Sequence, residues 1–352
     1  MKGIYYAYFI LLIMSACTEK QNEKLDSGNN QTYGPRIVTI NYDSIYQLES
    51  PPTYKPFEVY GFFLMGVATQ QVPLVMNPNH PVPEEIEKYE NVTFKEIDGL
   101  KIGVDIYNTK ADNSPNPLIL IIHGGYWKSG DKSVHTQQAV EFVELGYTVA
   151  SVNYRLSKKY KFPSNIEDIK DCILFLTENA ETYKIDSSQI MTYGGSAGGH
   201  LSAFIALAAN SDRTYTEGLN PSAFKGAISL YGMHDLTMTI QREHPFTEQY
   251  IGISFIEDST NYIDASPVTH VDENDPPVLL MHGSIDGSVS VKNSDRLSAE
   301  LEGYGVSYTY DRIEGWSHGL DFFSPLGERT LWQIHKFLKL HMPSEELKNE
   351  SR

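Results

Sequence analysis

From Val92 to Met342 the chain alternates short apolar runs with longer amphipathic stretches. "NVTFKEIDGLKIGVDIY" (91–107) switches between apolar and polar residues on both sides of Asp98-Gly99, which predicts a β-hairpin. Nearly continuous apolar runs follow: "PLILIIHGG", "YTVASVNYR", "QIMTYGGS", "KGAISLYG", "PVLLMHGS" and "YTYDRI". Helical spacing separates most of them, at 132–146, 164–182 and 291–303, and returns in "ERTLWQIHKFLKL" near the carboxy end. Strands apolar on both faces, alternating with helices, predict an α/β fold. Its sheet is doubly wound and mostly parallel, with helices on both faces, over residues 92–342. The segment 233–275 is too long for a simple crossover and predicts a cap over the site.

The amino-terminal part has a different texture. Lys2 precedes the apolar run "IYYAYFILLIM", which is short for a bilayer span but suited to a signal-peptide core ending at "SAC". "MSAC" resembles a bacterial lipobox. It predicts a signal peptide at 1–17 and a lipidated Cys17 that anchors the protein to the cell envelope, on the periplasmic or outer-surface face. The stretch after Cys17 is polar, as a tether should be, and residues 18–91 as a whole read as a tether plus an extension packed against the main domain.

The other cysteine, Cys172, shares a helical stripe with Ile166, Ile169, Ile173 and Leu176, so it is expected in the core, and no internal disulfide is available. No Cys/His cluster has zinc spacing, and no metal or cofactor is expected. A formal net charge of −17 excludes a nucleic-acid backbone as partner.

Candidate chemistry sits at the predicted strand ends. "QIMTY" leads into Gly194-Gly195-Ser196-Ala197-Gly198 and then into an apolar helix. A turn this sharp strains the serine backbone, and the small neighbours make room for it. The hydroxyl is lifted to the carboxyl edge of the sheet, beside a helix amino terminus. A serine needs a base and an orienting acid. Asp286 follows the strand "PVLLMHGS", and His318 lies in "RIEGWSHGL" after the last strand, in the order Ser, Asp, His. Asp235 is a rival acid, whereas His200, His282 and His335 suit structural roles better than a base. His123-Gly124-Gly125 at the end of "LILIIHGG" could supply backbone N–H groups for an oxyanion hole together with Ala197, with His123 fixing the loop. Sequence proximity also puts the rings of Tyr126, Trp127 and Trp316 near the chemistry as substrate-binding candidates.

"HGGYW", "VNYRLS", "GGSAGGHLSA" and "PPVLLMHGSIDGSV" resemble the α/β-hydrolases. Within that fold they resemble the bacterial carbohydrate esterases of feruloyl and acetyl-xylan type and the wider hormone-sensitive-lipase-like group. That resemblance implies Ser196 as nucleophile, His318 as base, Asp286 as orienting acid, and an oxyanion hole from Gly124, Gly125 and Ala197. It implies cleavage of a small-molecule or oligosaccharide ester through an acyl-enzyme. Kynurenine formamidases also read "HGGYW", so an amidase is an alternative, as are a serine peptidase and a binding protein on the same fold. An exported protein is better placed for sugar esters than for a tryptophan catabolite.

Overall fold

The computed structural model describes residues 38, 40–58, 73–77, 79–111 and 113–349. The expected signal segment with Cys17 and the tether up to residue 37 lie outside these residues. Among the described residues, no helix is long and apolar enough to cross a membrane.

Eight strands form one sheet: β1 (Ile86–Ile97), β2 (Leu100–Thr109), β3 (Asn116–Ile122), β4 (Thr148–Val152), β5 (Ile185–Gly195), β6 (Phe224–Leu230), β7 (Val278–Gly283) and β8 (Tyr308–Ile313). Their order across the sheet is β1-β2-β4-β3-β5-β6-β7-β8. β1 and β2 pair antiparallel, β2 meets β4 antiparallel, and every later pair is parallel. The hairpin turn takes left-handed φ at both Asp98 (51°) and Gly99 (74°), as a two-residue turn matched to strand twist requires. β1 starts at Ile86 rather than at Val92. A bulge after Tyr89, with Asn91 at φ 56°, breaks the alternation that would have revealed its first half.

The helices are α1 (Tyr42–Tyr46), α2 (Thr136–Glu144), α3 (Ser164–Glu178), α4 (Ala197–Leu207), α5 (Thr239–Arg242), α6 (Pro245–Ile251), α7 (Thr260–Asp264), α8 (Lys292–Tyr304), α9 (Leu326–His341) and α10 (Glu345–Asn349). The period-2 geometry of a strand sends alternate residues to opposite faces. On β3, Leu118, Leu120 and Ile122 pack with α3, α4 and α8, while Ile119 and Ile121 pack with α2 and α9. Cys172 is buried within the first of these layers. Each such aliphatic side chain contributes about 1.5–3 kcal/mol by leaving water.

The extension runs along the α9 side. Tyr46 stacks on His335 at 4.2 Å, Trp332 Nε1 donates to Leu48 O, and Ile40, Ile45 and Val75 cluster with Leu331. Residues 233–275 carry α5, α6 and α7 and mostly pack against the α3–α4 layer. Tyr250 stacks on Trp127, and Ala265 O accepts a bond from His200 Nε2.

Candidate active site

Ser196 has φ 58° and ψ −122°, a conformation costly for any residue with a Cβ, and directly precedes α4. The glycines around it are required by space. A Cβ on Gly194 would lie 2.5 Å from the Gly198 backbone, and one on Gly198 would collide with Ile122 O. Ser196 N–H donates to Leu230 O, which pins the turn to β6. Ala197 occupies the first position of α4, so its N–H lacks an intrahelical acceptor.

The loop after β3 abuts this turn. A Cβ on Gly124 would stand 3.4 Å from Ser196 Cβ and 2.8 Å from Gly195 O. Gly125 has φ 112°, and the next two residues are also left-handed, Tyr126 at 52° and Trp127 at 57°. Lys128 N–H and Ser129 N–H both donate to Gly125 O, which closes the loop into a tight turn. His123 underlies it, with Nδ1 2.8 Å from Gly124 O and its ring stacked on Tyr154. Burial pulls the imidazole pKa of His123 down to about 4, so it is neutral at pH 7.

Asp286 Oδ2 accepts from His318 Nδ1 at 2.6 Å. The other oxygen, Oδ1, accepts from the backbone N–H groups of Ser288 and Val289 at 2.8 and 2.9 Å. His282 Nε2 lies 3.2 Å from Oδ2 and 3.0 Å from Val289 O, while its Nδ1 meets Ser294 Oγ at 2.8 Å. Burial alone would raise the carboxyl pKa. The His318 charge and the His282 and His318 hydrogen bonds outweigh burial and hold it well below the usual range. Asp286 is thus a fixed carboxylate that orients the His318 ring and leaves Nε2 for chemistry. Asp235 is engaged elsewhere: Oδ1 accepts from Thr237 N and Oγ1, and its N–H donates to Asn293.

Ser196, His318, Gly124, Gly125, Tyr126 and Tyr231 line one cavity of about 270 Å³. Its wall is predominantly apolar, and Met76 and Phe322 complete it. Two of the three expected substrate-contacting rings are elsewhere, which corrects the sequence expectation. Trp127 is fully buried, donates to His200 Nδ1 at 3.1 Å and stacks on Tyr250. Trp316 is 1% exposed and donates to Lys55 O at 3.0 Å. Tyr126, next to Trp127, and His318, two residues after Trp316, line the cavity, but the large indoles find more apolar area inside the protein. Tyr126 does line the cavity, and its ring stacks on His244 at 5.1 Å. No residue of 233–275 lines the cavity, so this segment reaches the site only through His244 and Phe246 packed on Tyr126.

Sequence reasoning gave His282 a structural role without its partner, which is Asp286, and missed two other contributors. Tyr231, at φ 42°, sets its ring edge-on to His318 at 4.6 Å and donates to Asp321 at 2.5 Å. Met76 arrives from the extension. Both of these depend on long-range contacts that leave no local signal. Among the described residues, no group of three or more His, Cys, Asp or Glu is placed to hold a metal ion.

Residues 104–301, more than half of the chain, match the family model described as BD-FAE. The chain is 30% identical over 223 residues to the esterase LipQ and 31% identical over 232 residues to the probable carboxylic ester hydrolase LipM, both of Mycobacterium tuberculosis. These alignments cover 61% and 63% of this chain and 53% and 54% of the relatives, so the chain spans about half the length of the curated relatives it matches. Among solved structures, a carbohydrate esterase from gut microbiota aligns with TM-score 0.62 at 23% identity, over 77% of this chain and 99% of that one. Propionate-bound esterase 2 of Thermogutta terrifontis aligns with TM-score 0.63 at 21% identity, over 75% and 97%. The sheet order and the serine turn agree with these likenesses: this chain is an α/β-hydrolase by fold and belongs to the BD-FAE family.

Proposed function

We propose that the protein hydrolyses carboxylic esters through an acyl-enzyme on Ser196. The observation that carries this reading is that His318, held by Asp286 at 2.6 Å, lines one cavity with a serine held at φ 58°. His318 Nε2 takes the Oγ proton as Oγ attacks the ester carbonyl carbon. The resulting oxyanion accepts from backbone N–H groups of the Gly124-Gly125 loop and Ala197, each such donor being worth about 3–4 kcal/mol. Collapse breaks the ester C–O bond, and the alcohol leaves with the proton from His318. Water then attacks the acyl-serine, gives its proton to His318, and releases the carboxylic acid as Oγ is reprotonated.

The proposed substrates are short-chain or hydroxycinnamoyl esters of carbohydrates. A largely apolar cavity of about 270 Å³ supports a short or single-ring acyl group, since it falls near the small end of ligand pockets. The motif resemblance and the expected export through Cys17 support a sugar as the alcohol. The test is a panel of acetyl, hydroxycinnamoyl and longer aliphatic esters of sugars, with Ser196→Ala as control. Acetyl or hydroxycinnamoyl esters should turn over fastest, and Ser196→Ala should lower kcat by about 10⁴-fold or more with the fold retained. Fastest turnover of long-chain esters, or of N-formylkynurenine, would remove the carbohydrate reading. In the producing cell, Cys17→Ser should move active protein from the membrane to the soluble fraction, and its retention in the membrane would remove the lipid anchor.

A further inference from the structure

We propose that the amino-terminal extension is a working part of the active site. In it, Met76 sets the length of acyl group accepted, and residues 54–57 position the loop that carries His318. The proposal rests on the ester-hydrolase reading above.

The loop between β8 and α9 is gripped by the extension on both sides of His318. Before His318, Glu314 N–H donates to Tyr54 Oη at 3.2 Å, Phe57 N–H donates to Gly315 O at 2.9 Å, and Trp316 Nε1 donates to Lys55 O at 3.0 Å. The Trp316 indole also meets Tyr54 and Phe57 edge-on, at 6.4 and 5.4 Å. The fit at Gly315 leaves no spare room, because a Cβ there would lie 2.5–2.6 Å from Phe57 N, Phe57 O and Pro56 Cβ. After His318, Val75 N–H donates to Phe322 O and Ser324 N–H donates to Pro73 O, both at 2.9 Å, and Leu74 bridges antiparallel to Phe323.

Met76 is held between two fixed neighbours. Gln137 of α2 accepts from Asn77 N–H at 2.5 Å and donates to Val75 O at 3.2 Å, while Val75 N–H is bound to Phe322. The backbone that carries Met76 is thereby fixed on both sides. Met76 is 4% exposed, and it lines the cavity together with Phe322, the residue whose carbonyl its neighbour binds. The segment 233–275, the obvious candidate for a cap, contributes nothing to that lining. Displacing a catalytic group by about 1 Å can cost 10²-fold in rate, so a loop braced from outside the matched region is a direct lever on turnover.

The experiment uses the full chain and acetyl, butanoyl and octanoyl esters of one alcohol, with active-site titration by the burst of acylation. Met76→Ala should raise the octanoyl-to-acetyl ratio of kcat/KM by about tenfold, and Met76→Phe should lower it, the scale expected when methylenes gain or lose room. Trp316→Phe keeps the aromatic packing but removes the N–H bound to Lys55. It should lower kcat per titrated site by about 5–10-fold with KM within twofold, whereas a merely structural role would lower the burst amplitude and leave the per-site rate intact. An unchanged chain-length ratio in both Met76 variants would overturn the specificity role, and a wild-type per-site kcat in Trp316→Phe would overturn the positioning role. A wild-type chain inert on all three esters would sink the hydrolase reading, and this proposal with it. That outcome is distinct from an active wild type with indifferent variants.

Discussion

The strands of residues 104–301 and the amino-terminal extension both reach the same cavity, but different forces hold them there. In the strands, Leu118, Leu120, Ile121, Val149 and Leu280 are fully buried, and the backbone is paired along whole ladders. Among the described residues, the extension outside the sheet buries Ile40, Ile45, Leu74, Val75 and Met76, and three of these, Ile40, Ile45 and Val75, cluster with Leu331 of α9. Scattered hydrogen bonds tie it down, from Tyr54, Lys55, Phe57, Pro73 and Val75 to residues 314–324 and from Leu48, Val75 and Asn77 to Trp332 and Gln137. Ser196 and Asp286 project from the ends of the first region, where burial dictates their position. His318 projects from a loop held from one side by the turn after β7, through Ser284 and Ile285, and from the other by the second region. The contrast teaches that the nucleophile and the acid stand on ends of buried, fully paired strands, whereas the base depends in addition on directional contacts with the extension that are individually weak.

The sharpest way to break this contrast is at the acid. Asp286→Asn should lower kcat by about 10³–10⁴-fold, because an amide favours the wrong His318 tautomer, while Asp235→Asn should stay within about threefold. Steady-state kinetics of the two variants decide it, and a dead Asp235→Asn would move the acid to β6.

A second comparison is made in stability. Leu280→Ala empties a fully buried site and should cost about 3–4 kcal/mol in chemical denaturation. Leu331→Ala, at the edge of the four-residue cluster, should cost about 1–2 kcal/mol. Equal costs would mean that the extension is as deeply integrated as the sheet.

The smallest effect depends on pH and separates two carboxyls beside His318. The folded pKa of Asp286 is depressed, so its stabilising contribution is present above the ordinary carboxyl pKa of about 4 and is lost as pH falls. Asp321 is opposite: burial raises it to about 6, against the hydrogen bond from Tyr231. The folded state therefore binds more protons than the unfolded one between about pH 4 and 6, and stability falls as pH rises through that window. Asp321→Asn should stabilise the protein by about 1–2 kcal/mol at pH 7.5 and by nothing measurable at pH 4, read from thermal unfolding at both pH values. A gain of equal size at both would show that Asp321 stays ionised throughout.

Much of the site was legible because it lies where regular elements end. The runs "QIMTYGGS" and "PVLLMHGS" are strands by their unbroken apolar content, and a Gly-rich junction at the edge of such a strand leaves little choice of geometry for Ser196. The first half of β1 was hidden by its bulge. The places of Trp127 and Trp316 were misjudged because sequence neighbourhood fixes where a backbone goes but not which side an indole turns to. Here both indoles turned inward to partners some 73 and 261 positions away, His200 and Lys55. The 233–275 segment looked like a cap by its length, yet its aromatic residues found a deeper surface against α3 and α4.

What the sequence by itself determined was whatever depends on local repetition: the strand and helix alternation, the left-handed turn at Asp98-Gly99, and the strained serine between small residues. These follow from steric and hydrophobic rules acting over a few positions. Only the tertiary structure decided what closes the cavity. Met76 and Phe322, 246 positions apart, are brought to one wall by a backbone bond from Val75 to Phe322. No pattern along the chain encodes that pairing, since backbone hydrogen bonds carry no side-chain signature.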